Sequence, residues 1–454
     1  MRMQTMVLWR ILRLALPLVA ILIVSNTADA AATLKWRKSL GPDVLGAGIA
    51  LSSAGDRLAV LPQHDPETQR ANDTLMVLSR TGEVVWQYRA PSGERFGGVA
   101  ISPDGQRVFC DYWTKPRLVA PLEWPDGQKR DPDDPNMPLD KVAYAGGIYC
   151  FDPAGQVLWK TRIEGTEVGP PISSPLGNVR QATSTHLLVV KPGEECERGV
   201  TVLDSSGRSV FQRDFTQEDG AHGAALLPNG FAIGIGWGKD TLILDLKTGT
   251  TGEVKGLALR DGMTATAPDA THLLLAAGPD YFETTTLALA GRDGDLKWTY
   301  AVPKSWSASI VPSTGGVPGQ PVPVTESPLL GAGPEGTSVV LVRGPRRVLF
   351  RFPPNSYSPK EIELPAVEDG MEQTFLSHDG TAVAVIRTPR TDDAVSGRKL
   401  QIGLFAESAA LLGELDLGEW RNAWRRPLSA EFSNPTKHLA ISAGPDLYFI
   451  EVTR

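Results

Sequence analysis

Cysteine is scarce in this chain: Cys110, Cys150 and Cys196 are the only three in 454 residues. An odd, low count excludes a disulfide framework. Histidine is nearly as rare, with six copies at 64, 186, 222, 272, 378 and 438. Neither His-Glu-x-x-His nor Cys-x-x-Cys occurs, so the sequence carries no zinc pattern. No Gly-x-Ser-x-Gly elbow is present, which disfavours a hydrolase of that design. Basic charge is in deficit, 45 Lys and Arg against 52 Asp and Glu. That balance argues against nucleic acid, whose phosphates demand a basic surface. The apolar run Leu14–Val24 holds 11 residues, short of the roughly 20 that a spanning helix needs.

That run has another use. Arg2, Arg10 and Arg13 precede or flank it, and Ala28-Asp29-Ala30 follows it with a small-x-small pattern. The combination reads as a secretory signal peptide over residues 1–30, cut after Ala30. An uncleaved anchor is the rival reading. Cleavage removes three Arg and one Asp and takes the net charge from −7 to −9. The expected location is the periplasm or the extracellular space, with no stable membrane span after cleavage. There one disulfide is permitted, and Cys110–Cys150 is the candidate pair, two buried thiols being the alternative.

What the chain has in quantity is 46 Gly and 36 Pro, dispersed throughout, which means many turns and many short strands. The turns repeat. Leu75–Trp86, Ile148–Trp159, Val200–Phe211 and Leu287–Trp298 each place an apolar strand before a turn, with an aromatic four residues after the turn glycine (Gly82, Gly155, Gly207, Gly294). Leu242–Gly249 has the strand and turn without the aromatic. Asp or Ser closes such a turn on its own backbone, and glycine accepts its positive φ. A second hairpin family comes before these, as in Ile49–Gly55, Val99–Gly105, Ala225–Gly230 and Phe375–Gly380, with Glu431–Pro435 a degenerate copy.

Together the two families give antiparallel units of four strands, a-b-c-d, about 40–50 residues long, the size of propeller blades. Fourth strands fall near Leu34–Leu40, Val84–Ala90, Val157–Ile163, Ser209–Phe215, Thr251–Leu257, Leu296–Val302, Lys360–Ala366 and Leu412–Gly418. The first lacks strands of its own, and the last strands of the chain lack a fourth. The expectation is therefore one all-β domain over residues 31–454, an eight-bladed propeller whose N-terminal strand closes the last blade. Seven blades is the alternative, because 305–366 is irregular.

Thr81-Gly82-Glu83-Val84-Val85-Trp86 and Ala154-Gly155-Gln156-Val157-Leu158-Trp159 resemble the repeats of the PQQ-like β-propeller superfamily, which place Thr-Gly-x-x-x-Trp at this turn. The resemblance implies an exported propeller. One branch holds pyrroloquinoline quinone and calcium beside two adjacent cysteines; this chain has no adjacent pair. The other branch consists of non-enzymatic scaffolds.

Long connections fall on the face carrying the b–c and d–a loops: Gln63–Asp73, Trp113–Ala145, Gly193–Arg198, Gly278–Thr284, Thr388–Arg398 and Trp420–Arg426. Variable loops on one end of a rigid scaffold are where binding resides. Candidate anchors there are Tyr112, Trp113, Trp124, His222, Trp237, Tyr281, Phe282, Trp306, Trp420, Trp424 and Arg425, since Trp, Tyr and Arg dominate interfaces. Asp131, Asp133 and Asp134 offer carboxylates to calcium, although a solvated acidic loop suits the Pro-broken spacing as well. The functional expectation is a non-catalytic scaffold for a protein, peptide or carbohydrate, without a cofactor. The alternative is a quinone-dependent oxidoreductase of sugars or alcohols.

Overall fold

The computed structural model describes residues 31–64, 72–114, 117–118, 142–143, 146–163, 178–191, 199–215, 221–226, 232–237, 240–266, 272–278, 285–291, 293–303, 329–333, 336–343, 346–354, 356, 358–365, 371–388, 399–419 and 428–453. Among them every regular element is a β-strand. After β1 (Ala31–Ser39), the first sheet is β2–β5 (Val44–Leu51, Arg57–His64, Thr74–Ser79, Val84–Arg89). The second is β6, β7, β10 and β11 (Glu94–Ile101, Val108–Thr114, Gly146–Phe151, Val157–Ile163), interrupted by the ribbon β8–β9 (Arg117–Leu118, Val142–Ala143). The third is β12–β15 (Asn178–Ala182, His186–Lys191, Gly199–Asp204, Ser209–Asp214), and the fourth β16–β19 (Ala221–Leu226, Ala232–Trp237, Asp240–Asp245, Thr251–Val254). The fifth is β20–β23 (Ala258–Thr266, His272–Gly278, Thr286–Gly291, Leu296–Ala301), and the sixth β24–β27 (Leu329–Gly333, Gly336–Arg343, Arg346–Phe352, Lys360–Leu364). The seventh is β28–β31 (Met371–Leu376, Ala382–Thr388, Lys399–Ala406, Leu411–Glu419). The eighth combines β32–β34 (Leu428–Phe432, His438–Ala443, Asp446–Thr453) with β1, which pairs from Ala31↔Thr453 to Ser39↔Asp446.

The sheets stand radially, as propeller blades do. The first strand of each touches the first strand of the next, from β2 to β6 and onward to β32, which touches β2 again. Strands a therefore form an inner wall. Strands b and c are buried from end to end in places, as in β10 and β33. Strand d alternates between exposed and covered, as in β15 and β23, because it is outermost.

Two turn devices hold the ring. At the a–b turns of the first, second, seventh and eighth sheets a buried serine hydroxyl accepts the backbone N–H five residues on. The pairs are Ser52–Arg57 (3.1 Å), Ser102–Arg107 (2.9 Å), Ser377–Ala382 (3.0 Å) and Ser433–His438 (3.0 Å). Neighbouring turns also bond across sheets: Asn434 N–H donates to Ser53 O (3.0 Å), and Ser53 N–H to Pro103 O (2.8 Å).

At the c–d turns the repeat shows its purpose. Gly82, Gly155 and Gly207 hold φ of 81°, 82° and 83°, conformations costly for any side chain with a Cβ. Each glycine lies under an indole from the preceding sheet: Trp36 over Gly82, Trp86 over Gly155, Trp159 over Gly207. A Cβ at these positions would approach the rings to 2.7–2.9 Å. Trp36 and Trp159 also donate Nε1–H to the carbonyl two residues before the glycine, Arg80 (2.9 Å) and Ser205 (3.0 Å). Trp36 on β1 thus does for the eighth sheet what Trp159 does for the second.

The fourth sheet, which lacks the aromatic, places Gly252 at that site, opposite Ile243. A Cβ on Gly252 would lie 2.0 Å from the Asp293 carbonyl carbon. The next turn has moved in where a ring would sit.

Of the two alternatives for Cys110 and Cys150, the structure holds the two buried thiols and not the disulfide. The reason is register. Cys110 pairs with Tyr149 and Cys150 with Phe109, so the two side chains point to opposite faces of the sheet. Cys110 packs between the first and second sheets, Cys150 between the second and third. Cys196 and the signal segment 1–30 lie outside the described residues.

Candidate functional site

The two ends of the ring differ. The end with a–b and c–d turns is short and satisfied internally. Asp152 Oδ1 accepts from Ala154 and Gln156 N–H (both 2.8 Å), and Asp204 Oδ1 from Ser206 (2.8 Å) and Arg208 (3.1 Å). The other end carries the insertions. The longest one leaves β7, rises as the β8–β9 ribbon with Arg117 opposite Ala143, and returns into β10. The ribbon leaves no mark in the sequence, because two-residue strands carry no periodic pattern.

One residue from each of the four strands of the second sheet, Glu94, Tyr112, Tyr149 and Lys160, joins a paired cluster. Glu94 accepts from Tyr149 OH (2.6 Å) and from Lys160 Nζ (2.5 Å). The ammonium lies 4.2 Å from the Tyr112 ring centroid and 4.5 Å from that of Tyr149. Burial first, then the Glu94 bond, push the Tyr149 phenol far up; burial also raises Tyr112. Arg95 stacks over Trp113 at 5.5 Å. Every charge in this cluster has a partner, so it ties the four strands of the second sheet together.

Tyr112 and Trp113 were expected on a loop. They are in β7, 6% and 7% exposed. His222, expected in a connection, is the residue where the β16–β17 register shifts, between Ala221 and Gly223. Trp237 ends β17 at the loop-bearing face. Trp124, Tyr281, Phe282, Trp306, Trp420, Trp424, Arg425 and the Asp131, Asp133 and Asp134 set lie outside the described residues. Among the described residues no group of three His, Cys, Asp or Glu side chains is placed to hold a metal. His186, His272 and His438 each open a strand b.

Sequence reading missed Asp111. It sits on β7, fully buried, and its Oδ2 accepts the Val179 N–H of the third sheet (3.0 Å). Gly98 lies close against it, so that a Cβ there would come 2.8 Å from Oδ2, at the shift in β6 register between Phe96 and Val99; Oδ1 has no hydrogen-bond partner. Ser442, at the same step of the eighth sheet, accepts Ala47 N–H (2.9 Å) in the same manner.

Burial outweighs the N–H donors and pushes the Asp111 carboxyl up to about 7. A folded value above the unfolded one means that stability is lost as pH rises, here between about 4 and 7. Asp111→Asn keeps the acceptor and removes the charge. Its stability relative to wild type should rise by about 4 kcal/mol between pH 4 and pH 8, read from denaturant melts at both. A difference independent of pH would show an ordinary carboxyl.

These features define a β-propeller of WD40-like fold. The chain is similar to the C-terminal WD40 domain of Sif2, with a TM-score of 0.53 and 10% identity over 93% of this chain and 100% of that one. It is also similar to the WD40 domain of SCAP from fission yeast, with a TM-score of 0.52 and 10% identity over 92% and 98%. At such identity the likeness is one of fold. No protein-family model and no curated protein sequence matches the chain. The PQQ-like resemblance therefore rests on its turn residues alone. Among the described residues, Cys110 and Cys150 face away from each other in separate cores.

Proposed function

We propose that this chain is an exported, non-catalytic binding scaffold, an eight-bladed propeller closed by its own N-terminal strand. Its partner, a protein, peptide or carbohydrate, binds the face with the b–c and d–a connections. One observation carries the reading: the asymmetry of the two ends. Turns at one end are tight and bonded to themselves, as at Asp152 and Asp204, whereas connections at the other are long and, in the second sheet, carry the β8–β9 ribbon. Eight four-stranded sheets and the β1–β34 ladder support the blade count. Export is supported by the residue 1–30 pattern; N-terminal sequencing of the secreted protein should begin at Ala31.

The test compares three forms in pull-downs from native periplasmic or culture-medium fractions. Trp237→Ala with Trp424→Ala should abolish capture while the melting temperature holds. Arg208→Ala, on a c–d turn at the other end, should capture as wild type does. Trp113 is left intact because truncating a buried indole destabilises the sheet. Capture lost by Arg208→Ala and retained by the double variant would place the partner on the opposite end.

A further inference from the structure

The seam between the eighth and first sheets holds a histidine whose ring makes no hydrogen bond. His438 is 2% exposed, and neither Nδ1 nor Nε2 has a hydrogen-bond partner. Its ring stacks on Phe449 (centroids 5.3 Å apart, planes at 24°), and Phe449 stacks on Trp36 (5.3 Å, 5°). Three rings from β33, β34 and β1 thus form a column across the sheet that the N-terminal strand completes. The Gly55 turn of the first sheet closes the other side so tightly that a Cβ there would come 2.3 Å from Nδ1. The bonds Asn434 N–H to Ser53 O, Ala47 N–H to Ser442 Oγ and Ser429 Oγ–H to Ala47 O (2.9 Å) cross the same seam.

The surrounding charges are unfavourable to an imidazolium. Arg80 faces it from the first sheet's c–d turn, Lys437 from the residue before β33, and Lys35 from β1; Glu451 on β34 opposes them. Glu451 is itself bonded to Lys35 and Arg80. Asp56, beside Gly55, accepts the Ser52 hydroxyl at 2.6 Å.

We propose that His438 makes this seam an acid-labile latch: protonation of its ring parts the eighth sheet from the first and loosens the closing strand, while the other seams stay shut. A protonated imidazole has two N–H donors, and unpaired donors in an apolar pocket demand water. Water reaches this ring only if the seam opens. Burial, then Arg80, hold His438 below its ordinary value. A lowered histidine contributes stability that is complete above the unfolded value of about 6.5 and is lost as pH falls below it.

Amide hydrogen exchange of the intact chain at pH 7 and pH 5, corrected for intrinsic rates, tests this. Asn434 and Ala47 should lose about tenfold protection relative to Ser53, whose N–H crosses the first–second seam. His438→Phe retains the ring column without a titrating group and should abolish the loss. If that variant does not fold, the imidazole NMR titration of the wild type decides: a midpoint clearly below 6.5 supports the latch. A midpoint at or above 6.5, an equal loss at Ser53, or an undiminished loss in His438→Phe overturns it.

Discussion

Trp86→Ala should cost about 3–5 kcal/mol of stability, the range for truncating a large buried aromatic. Trp86 is 8% exposed and seats its ring on the Gly155 turn of the next sheet, with Phe151 tilted against it at 5.5 Å. Its Nε1 has no acceptor, so the loss is one of packing between sheets. The seat is shaped by Gly155, a positive-φ glycine lying directly under the ring. Urea denaturation of the variant measures the cost. A loss below 1 kcal/mol would mean that the aromatic of the repeat is decoration rather than the contact between units.

Deleting Ala31–Ser39 should have a still larger effect. That strand supplies the whole β1–β34 ladder, the Trp36–Phe449 stack, and the Arg37–Asp446 bond at 2.7 Å. Without it β34 becomes a bare sheet edge with apolar neighbours, and such edges pair with other chains. The truncated protein should elute as aggregate or unfold below the wild-type transition, and a synthetic peptide of residues 31–40 should restore the monomer in part. A truncated chain with the wild-type melting temperature would show that the ring does not depend on its ends meeting. The His438 column depends on this strand too, since Trp36 forms one end of it.

The repeat was legible because its cause is local. A turn glycine and the ring four residues later lie within one hairpin, so composition and spacing display both. Each expected fourth strand lies within a few residues of an observed outer strand, from Ala31–Ser39 to Leu411–Glu419. Contacts set by registry between distant segments were not legible. Cys110 and Cys150 occupy adjacent strands as expected, but a single residue of offset puts them on opposite faces.

Tyr112 and Trp113 were assigned to a loop because β7 is buried on both faces from Val108 to Trp113. A strand covered on both sides shows no alternation, and its end cannot be seen in the pattern. Asp111 was hidden in the same run. A lone carboxylate among apolar residues gives no hint that it clasps the next sheet. The unit of Leu242–Gly249 lacks the aromatic, and only the position of the Asp293–Gly294 turn against Gly252 explains why.

A loop face can select a partner only if the body beneath it is one rigid ring, so closure is the claim on which the rest stands. Amide exchange along β1 measures it most directly. The hydrogen-bonded amides of Thr33–Lys38 should be protected to the same degree as those of β33 and exchange in the same cooperative step. Exchange of those amides at the rate of an unstructured peptide, with β33 still protected, would contradict it.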